Sequence, residues 1–337
     1  MNILMVRLGA LGDVVHTIPA AAAIRAALPD ARIDWLVERK HRTMVDMVTV
    51  VDEVIPIEAR TIGGWIDAMR RVRQTAYDIA LDFQGLMKSA VFARASGAPR
   101  VAGFSIWHLR EKSARPFYSE TSHVADEDGG GATHVIRKNL HLLEVMGIET
   151  SAIAFPLASV DSKALDEVRR AIGDAGLALI NPGAAWPNKR WPPERFGEVA
   201  AFLRDVRGLS SIVLWGPGEQ ALAQGVADAS SGSARVAPPT EIPDLVALSR
   251  AARLIVSGDT GPLHIAAAVG TPAVGLYGPT NPHRNGPWHE RDVLVSRFET
   301  CSCHYQRRCR IPDWCLAGLT VAEVTAAIQQ RLTERDG

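Results

Sequence analysis

Short apolar runs that end in small or acidic residues and pass at once into helical patterns constrain this chain most. Ile3-Leu4-Met5-Val6 leads into Arg7-Leu8-Gly9-Ala10-Leu11-Gly12-Asp13 and a helical pattern over 14–27. Arg32-Ile33-Asp34-Trp35-Leu36-Val37 and the runs 52–57, 78–82 and 100–104 repeat the theme, with helical patterns between them over 65–74 and 86–95. Runs this short and apolar suit strands buried on both faces. Their alternation with helices predicts a parallel sheet covered on both sides. Pro19, inside the first helical pattern, should kink that helix or delay its start. The basic, aromatic and glycine-rich segment 105–133 breaks the rhythm and reads as a long surface loop able to order over a substrate. A helix over 134–146 follows it.

Near residue 158 the alternation restarts. Leu177-Ala178-Leu179-Ile180, Ser211-Ile212-Val213-Leu214-Trp215, Ala252-Arg253-Leu254-Ile255-Val256 and Ala273-Val274-Gly275-Leu276-Tyr277 read as strands. Helical patterns cover 164–175, 193–204, 219–229, 242–251 and 320–332, the last opened by a Thr320-x-x-Glu323 capping box. No sequence repeat links the halves. The fold class expected is α/β, with two Rossmann-like doubly wound parallel-sheet domains facing across a cleft, where ligands bind at the carboxyl ends of strands.

Composition narrows the function classes. At 337 residues the chain can form two sizeable cores. Lys plus Arg and Asp plus Glu both number 37, which does not point to a nucleic-acid partner. No apolar run approaches the roughly 18 residues of a membrane span, and the N-terminal segment has no secretory pattern. Cytoplasmic residence is the expectation.

The strand ends carry the chemistry. Ser257-Gly258-Asp259-Thr260-Gly261-Pro262-Leu263-His264 follows one strand and opens a helix. Unpaired N–H groups and the helix dipole favour an anion there, and Pro262 suits the first turn. An ordinary turn capped by Asp259 or Thr260 is the alternative. The loop Asn181-Pro182-Gly183-Ala184-Ala185-Trp186-Pro187-Asn188-Lys189-Arg190 sets two cations after small residues, which suits a phosphate-bearing ligand. In Trp215-Gly216-Pro217-Gly218-Glu219 the acid could accept from ribose hydroxyls or simply answer a helix dipole. Asp13 is either an N-cap or a general base for a substrate hydroxyl. The first loop, Gly9-x-x-Gly12-Asp13, lacks dinucleotide-binder spacing. Glu38, placed roughly where an acid would hold an NAD ribose, keeps an NAD-dependent or other nucleotide-binding protein as an alternative.

Taken together, Gly12-Asp13-x-x-His16-Thr17-x-Pro19, Asp82-x-Gln84-Gly85-Leu86-x-Lys88-Ser89, Lys189-x-Trp191-Pro192, Trp215-Gly216, Asp259-Thr260-Gly261-x-x-His264 and Tyr277-Gly278-Pro279-Thr280 resemble bacterial glycosyltransferase family 9, the ADP-heptose:lipopolysaccharide heptosyltransferases. The resemblance implies a GT-B fold and inverting, metal-independent transfer of L-glycero-D-manno-heptose from ADP-heptose. The implied acceptor is a Kdo sugar of the lipid A inner core. Another nucleotide sugar or a later core acceptor remains the alternative within the family.

On this resemblance residues 1–158 bind the acceptor, 159–318 bind the nucleotide sugar, and 319–337 form a closing helix that packs back toward the first domain. Asp13 is the implied base, and Lys189 offsets charge on the departing diphosphate. Thr260 and Gly261 supply backbone amides, Asp259 and His264 complete the phosphate pocket, and Glu219 holds the ribose. Gly9, Gly12, Gln84 and Lys88 form the acceptor-side loops. His16 is left structural, and domain closure would bring base and leaving group together. Ala184 and Ala185 stand where the relatives carry a threonine pair, so only backbone amides are left to the donor there. A lipid-linked acceptor implies peripheral association with the cytoplasmic face of the inner membrane. Arg60, Arg70, Arg71, Arg73, Arg110, Lys112 and Arg115 could meet lipid A phosphates or form an ordinary solvated face.

All four cysteines lie between Cys301 and Cys315, a tail associated with other branches of the family. The clustering fits cytosolic chemistry better than a disulfide framework. The cluster lacks paired C-x-x-C spacing, so reduced thiols are expected in preference to a structural zinc. No cofactor or metal is expected to be required.

Overall fold

The computed structural model describes residues 1–58, 61–122, 133–309 and 314–333. The chain divides into two compact units, Met1–Ala158 and Ser159–Gly337. In the first, six strands pair in parallel: β1 (Asn2–Val6), β2 (Arg32–Glu38), β3 (Glu53–Ile57), β4 (Ile79–Asp82), β5 (Arg100–Phe104) and β6 (Glu120–Ser122), in the order β3-β2-β1-β4-β5-β6. The second holds β7 (Gly176–Asn181), β8 (Leu209–Val213), β9 (Ala234–Val236), β10 (Leu254–Gly258), β11 (Ala273–Tyr277) and β12 (Val293–Ser296), also parallel, in the order β12-β11-β10-β7-β8-β9. Both units therefore share one winding. The first strand is central, two follow on one side, and three return on the other. The strand order reverses between β1 and β4, and again between β7 and β10, the positions where doubly wound sheets bind ligands.

Pro19 interrupts the first helix as expected, because it lacks an N–H and favours a first turn. Helix Leu11–Val15 stops, and Ile18–Ala27 begins with Pro19 in its opening turn. The expectation of one long loop over 105–133 needs correction. Lys112–Phe117 forms a 3-10 helix and Glu120–Ser122 is the edge strand β6, while 123–132 lie outside the described residues. The pattern over 134–146 resolves into helix Val135–His141 followed by the 3-10 turn Leu142–Met146.

The closing helix forms as Val321–Thr333. Val324, Ala327 and Ile328 enter the core of the second unit beside Trp191, Phe196 and Leu276, because these apolar residues form one stripe facing that core. Its Thr320–Glu323 capping box is formed, with Thr320 N–H donating to Glu323 at 2.8 Å and Glu323 N–H to Thr320 Oγ1 at 3.3 Å. In the same core Trp191 stacks edge-on against Phe196, 5.0 Å between ring centroids, and donates to the Leu319 carbonyl. Burial of one such large apolar side chain contributes roughly 1.5–3 kcal/mol. It anchors the loop two residues after Lys189.

Candidate functional site

At the reversal point of the second unit, Asp259 follows β10 and is almost fully buried. Its Oδ2 accepts from Lys189 Nζ at 2.5 Å and from Thr280 Oγ1 at 2.7 Å. Its Oδ1 accepts from Asn285 Nδ2 at 2.7 Å, with His264 Nε2 at 3.3 Å. Burial alone would raise the pKa of this carboxyl. Hydrogen bonds from His264 and Lys189 and the charge of Lys189 outweigh that effect and hold it well below the usual carboxylate range. The result is a fixed anion that positions a lysine. Lys189 Nζ also lies 4.6 Å from the Trp186 ring centroid, a cation–π contact.

Thr260 occupies the N-cap position of helix Gly261–Ala268, yet its side chain caps nothing in that helix. The hydroxyl instead accepts from Asn181 Nδ2 at 2.9 Å. Asn181 also donates to Ser257 Oγ and the Gly183 carbonyl, tying the end of β7 to the end of β10. The capped-turn alternative for this octet therefore fails. The first turn keeps backbone N–H groups without a side-chain cap, beside Lys189, which is the arrangement that receives an anion.

Glu219 precedes helix Gln220–Ala229 and also caps nothing there. Its Oε2 accepts the Gly216 N–H at 3.1 Å, and Oε1 lies 3.7 Å from Arg190. The carboxylate presses on the backbone at Gly183, where an added Cβ would fall 2.1 Å from Oε2. A side chain at 183 would require the Glu219 carboxylate to swing away. Ala184 is buried, with its carbonyl accepting from Arg190 Nε at 2.8 Å, whereas Ala185 is exposed. Lys189, Asp259, Thr260, Gly261 and His264 are thus gathered at one strand crest, with Glu219 at the adjacent strand end.

At the reversal point of the first unit, Asp13 lies within helix Leu11–Val15 and not at its cap. Its Oδ1 pairs with Arg7 at 2.8 Å, and Oδ2 lies 3.5 Å from Arg110 and accepts the Ala10 N–H at 3.3 Å. Arg7 is buried and also donates to the Phe83 carbonyl. Burial lowers its pKa, while Asp13 opposes the shift. Gln84 Oε1 accepts the Leu8 N–H at 2.7 Å, fixing the loop that carries Gly9 and Gly12. Gly9 lies against the His41 ring, which a Cβ would approach to 2.9 Å. Burial and Lys40 push the His41 pKa down to about 4.

Lys88 is tied to Glu38 at 2.9 Å, and Lys40 takes the other oxygen of Glu38. Glu38, the residue behind the nicotinamide alternative, is thereby engaged by two lysines. His16 is buried, edge-on to His134 at 5.5 Å, with its carbonyl accepting from Asn139. Among the basic residues, Arg71 pairs with Glu53, Arg73 donates to the Ala95 carbonyl and Arg70 lies near Asp67, while Arg60 is outside the described residues.

A family model described as glycosyltransferase family 9 (heptosyltransferase) matches residues 65–315. The chain belongs to glycosyltransferase family 9. Lipopolysaccharide heptosyltransferase 1 of Pseudomonas aeruginosa is 31% identical over 318 residues, 90% of this chain and 86% of that protein. The solved family 9 glycosyl transferase of Veillonella parvula superposes with a TM-score of 0.85 at 23% identity, covering 99% of this chain and 97% of that one. An Escherichia coli heptosyltransferase solved with ADP gives a TM-score of 0.78 at 24% identity, covering 98% and 100%. Family membership makes the chain a glycosyltransferase and sets aside the nicotinamide-dependent alternative. The architecture is that of the GT-B heptosyltransferases.

The motifs did not assign a role to every site residue. Thr280 and Asn285 reach Asp259 from the segment after β11, the neighbour of β10. Arg7, the cation directly after β1, was the available signal for a partner to Asp13. The cysteine segment also differs from expectation. Cys303 and Cys309 are joined as a disulfide, while Cys301 and Cys315 are free thiols. The chain brings these sulfurs into one corner, which sequence spacing does not reveal.

Proposed function

We propose that this glycosyltransferase moves L-glycero-D-manno-heptose from ADP-heptose to a Kdo sugar of the lipid A inner core, with inversion at the anomeric carbon. The observation that carries the reading is the Lys189–Asp259 pair beside the uncapped start of helix Gly261–Ala268. A diphosphate has the charge to take both the lysine and the free N–H groups. When the glycosidic C–O bond breaks, negative charge grows on the ADP, and a lysine already held in place stabilises it without reorganisation. Asp259 and His264 position Lys189 and the pocket wall, and Glu219 accepts from the ribose hydroxyls. Ala184 and Ala185 contribute backbone only.

Asp13, oriented by Arg7, removes the proton of the attacking acceptor hydroxyl. Gly9, Gly12, Gln84 and Lys88 shape the acceptor side. No cofactor or metal takes part in this single displacement. Among the described residues no helix is long and apolar enough to cross a membrane. Peripheral attachment at the cytoplasmic face follows from a lipid-linked acceptor. Trp107, 80% exposed with Lys112 over its ring, suits such an interface.

A donor and acceptor panel with product masses tests the reading. ADP release and a heptose mass increment with Kdo-lipid A are expected. A product only on an already heptosylated core would move the enzyme to a later step, and turnover of a different nucleotide sugar alone would overturn the donor assignment.

A further inference from the structure

The four cysteines follow the spacing C-x-C-x5-C-x5-C and converge although nothing in the transfer chemistry uses them. The Sγ atoms of Cys301, Cys303 and Cys315 all lie within 4.8 Å of one another, and Cys309 joins them through Cys303. Cys301 and Cys303 are buried, with their sulfurs 3.4 Å apart. Four thiolates around a tetrahedral zinc, at a Zn–S distance of about 2.3 Å, sit about 3.8 Å from each other. A disulfide needs two of these sulfurs and gives no reason for the other two to crowd against it. His304 is not a fifth candidate, because it is exposed and stacks on Phe298 at 4.1 Å.

The surroundings support a charged sulfur cluster. Asn188 is buried and directs Nδ2 at Cys303 Sγ (3.7 Å) and Cys309 Sγ (3.6 Å), while also donating to the Gln306 carbonyl at 2.9 Å. N–H groups aimed at ligand sulfurs orient them and offset their charge. On the other side, a Cβ at Gly278 would meet Cys315 Sγ at 3.1 Å, so the chain after β11 lies against the cluster.

We propose that Cys301, Cys303, Cys309 and Cys315 bind one structural zinc ion as a tetrathiolate, for which the Cys303–Cys309 disulfide is the oxidised, metal-free alternative. The ion pins the four cysteines against Asn188, the residue before Lys189. Zinc therefore holds the donor-side turn Pro187–Lys189 without touching substrate. Binding displaces four thiol protons and involves no electron transfer once the cysteines are reduced.

The full-length chain, purified under reductant without chelator, should carry about one zinc by elemental analysis. Cobalt substitution should give the intense thiolate-to-metal absorption of a four-sulfur site. Chelation should expose four alkylatable thiols and raise amide exchange across 186–190. Cys301→Ser and Cys315→Ser should lower zinc content at least tenfold, and wild-type cobalt spectra keep the test valid should either variant fail to fold. Metal-free protein that takes up neither zinc nor cobalt after full reduction would overturn the proposal. So would stoichiometric metal retained in the Cys301→Ser variant.

Discussion

Two buried aspartates stand at matching points of two sheets with the same winding, and their surroundings are opposite. Asp82 ends β4 and, among the described residues, accepts from neutral groups: Tyr118 OH at 2.6 Å, Ser89 Oγ at 2.8 Å and the N–H groups of Gln84 and Gly85. Burial dominates and raises its pKa. Asp259 follows β10 and faces Lys189 and His264, so despite equal burial its pKa falls. The first arrangement is a polar knot that holds loops together. The second keeps a cation in position at a crest where a ligand can bind. Identical topology thus fixes where groups meet, and the sign of the neighbouring charges decides what the meeting does.

The sharpest way to break this contrast lies outside both aspartates. Asp13→Asn should reduce transfer by about 10²–10⁴-fold, the usual size of a general-base contribution, while ADP affinity measured by calorimetry stays near wild type. Retained turnover would remove the first unit's catalytic role. Lys189→Ala should lower turnover by about 10²–10³-fold, as for loss of one electrostatic donor, and weaken ADP binding as well. An Asp82→Asn variant should instead lose about 1–3 kcal/mol of stability in urea melts, because a buried donor is left without its acceptor. Its turnover per folded molecule should be nearly unchanged. A large turnover defect there would place Asp82 with Asp259 and dissolve the comparison.

The pH response sharpens it further. Asp82, with a raised folded pKa, opposes folding when ionised, and that cost begins to shrink as pH falls through the folded value and is gone below the ordinary carboxylate pKa. Asp259, with a depressed folded pKa, stabilises the fold above the ordinary carboxylate pKa, and this contribution survives until pH drops below the usual carboxylate range. His41 provides the smallest and most local reading. With a folded pKa of about 4 against an ordinary 6.5, it favours folding fully above pH 6.5 and ever less as pH falls toward 4. Its imidazole carbon-bound proton shifts, followed by NMR, should stay in the neutral position down to about pH 5.

How much of this the chain announced depends on where each element sits. Central strands such as Ile3–Val6 within β1 and Leu254–Val256 within β10 are buried on both faces and therefore read as apolar runs. Three edge strands do not. Glu120–Ser122 and Ala234–Val236 have three residues each, with polar side chains among them, and Val293–Ser296 is only half-buried, so none stood out. The donor-side residues Lys189, Asp259, Thr260 and Gly261 were legible because each lies just past a recognisable strand. The roles of Thr280, Asn285 and Arg7 were not, since these residues join the site through sheet order and burial.

Gly183 and Glu219 also bind the chain's history. Because the Glu219 carboxylate fills the space where a side chain at 183 would begin, position 183 can change only if Glu219 moves or shortens. A lineage that shortened Glu219 to aspartate would first open room for alanine at 183, while the reverse order passes through a clash. The order of the two changes therefore matters, and a pair of single substitutions tested separately would understate what the double change allows.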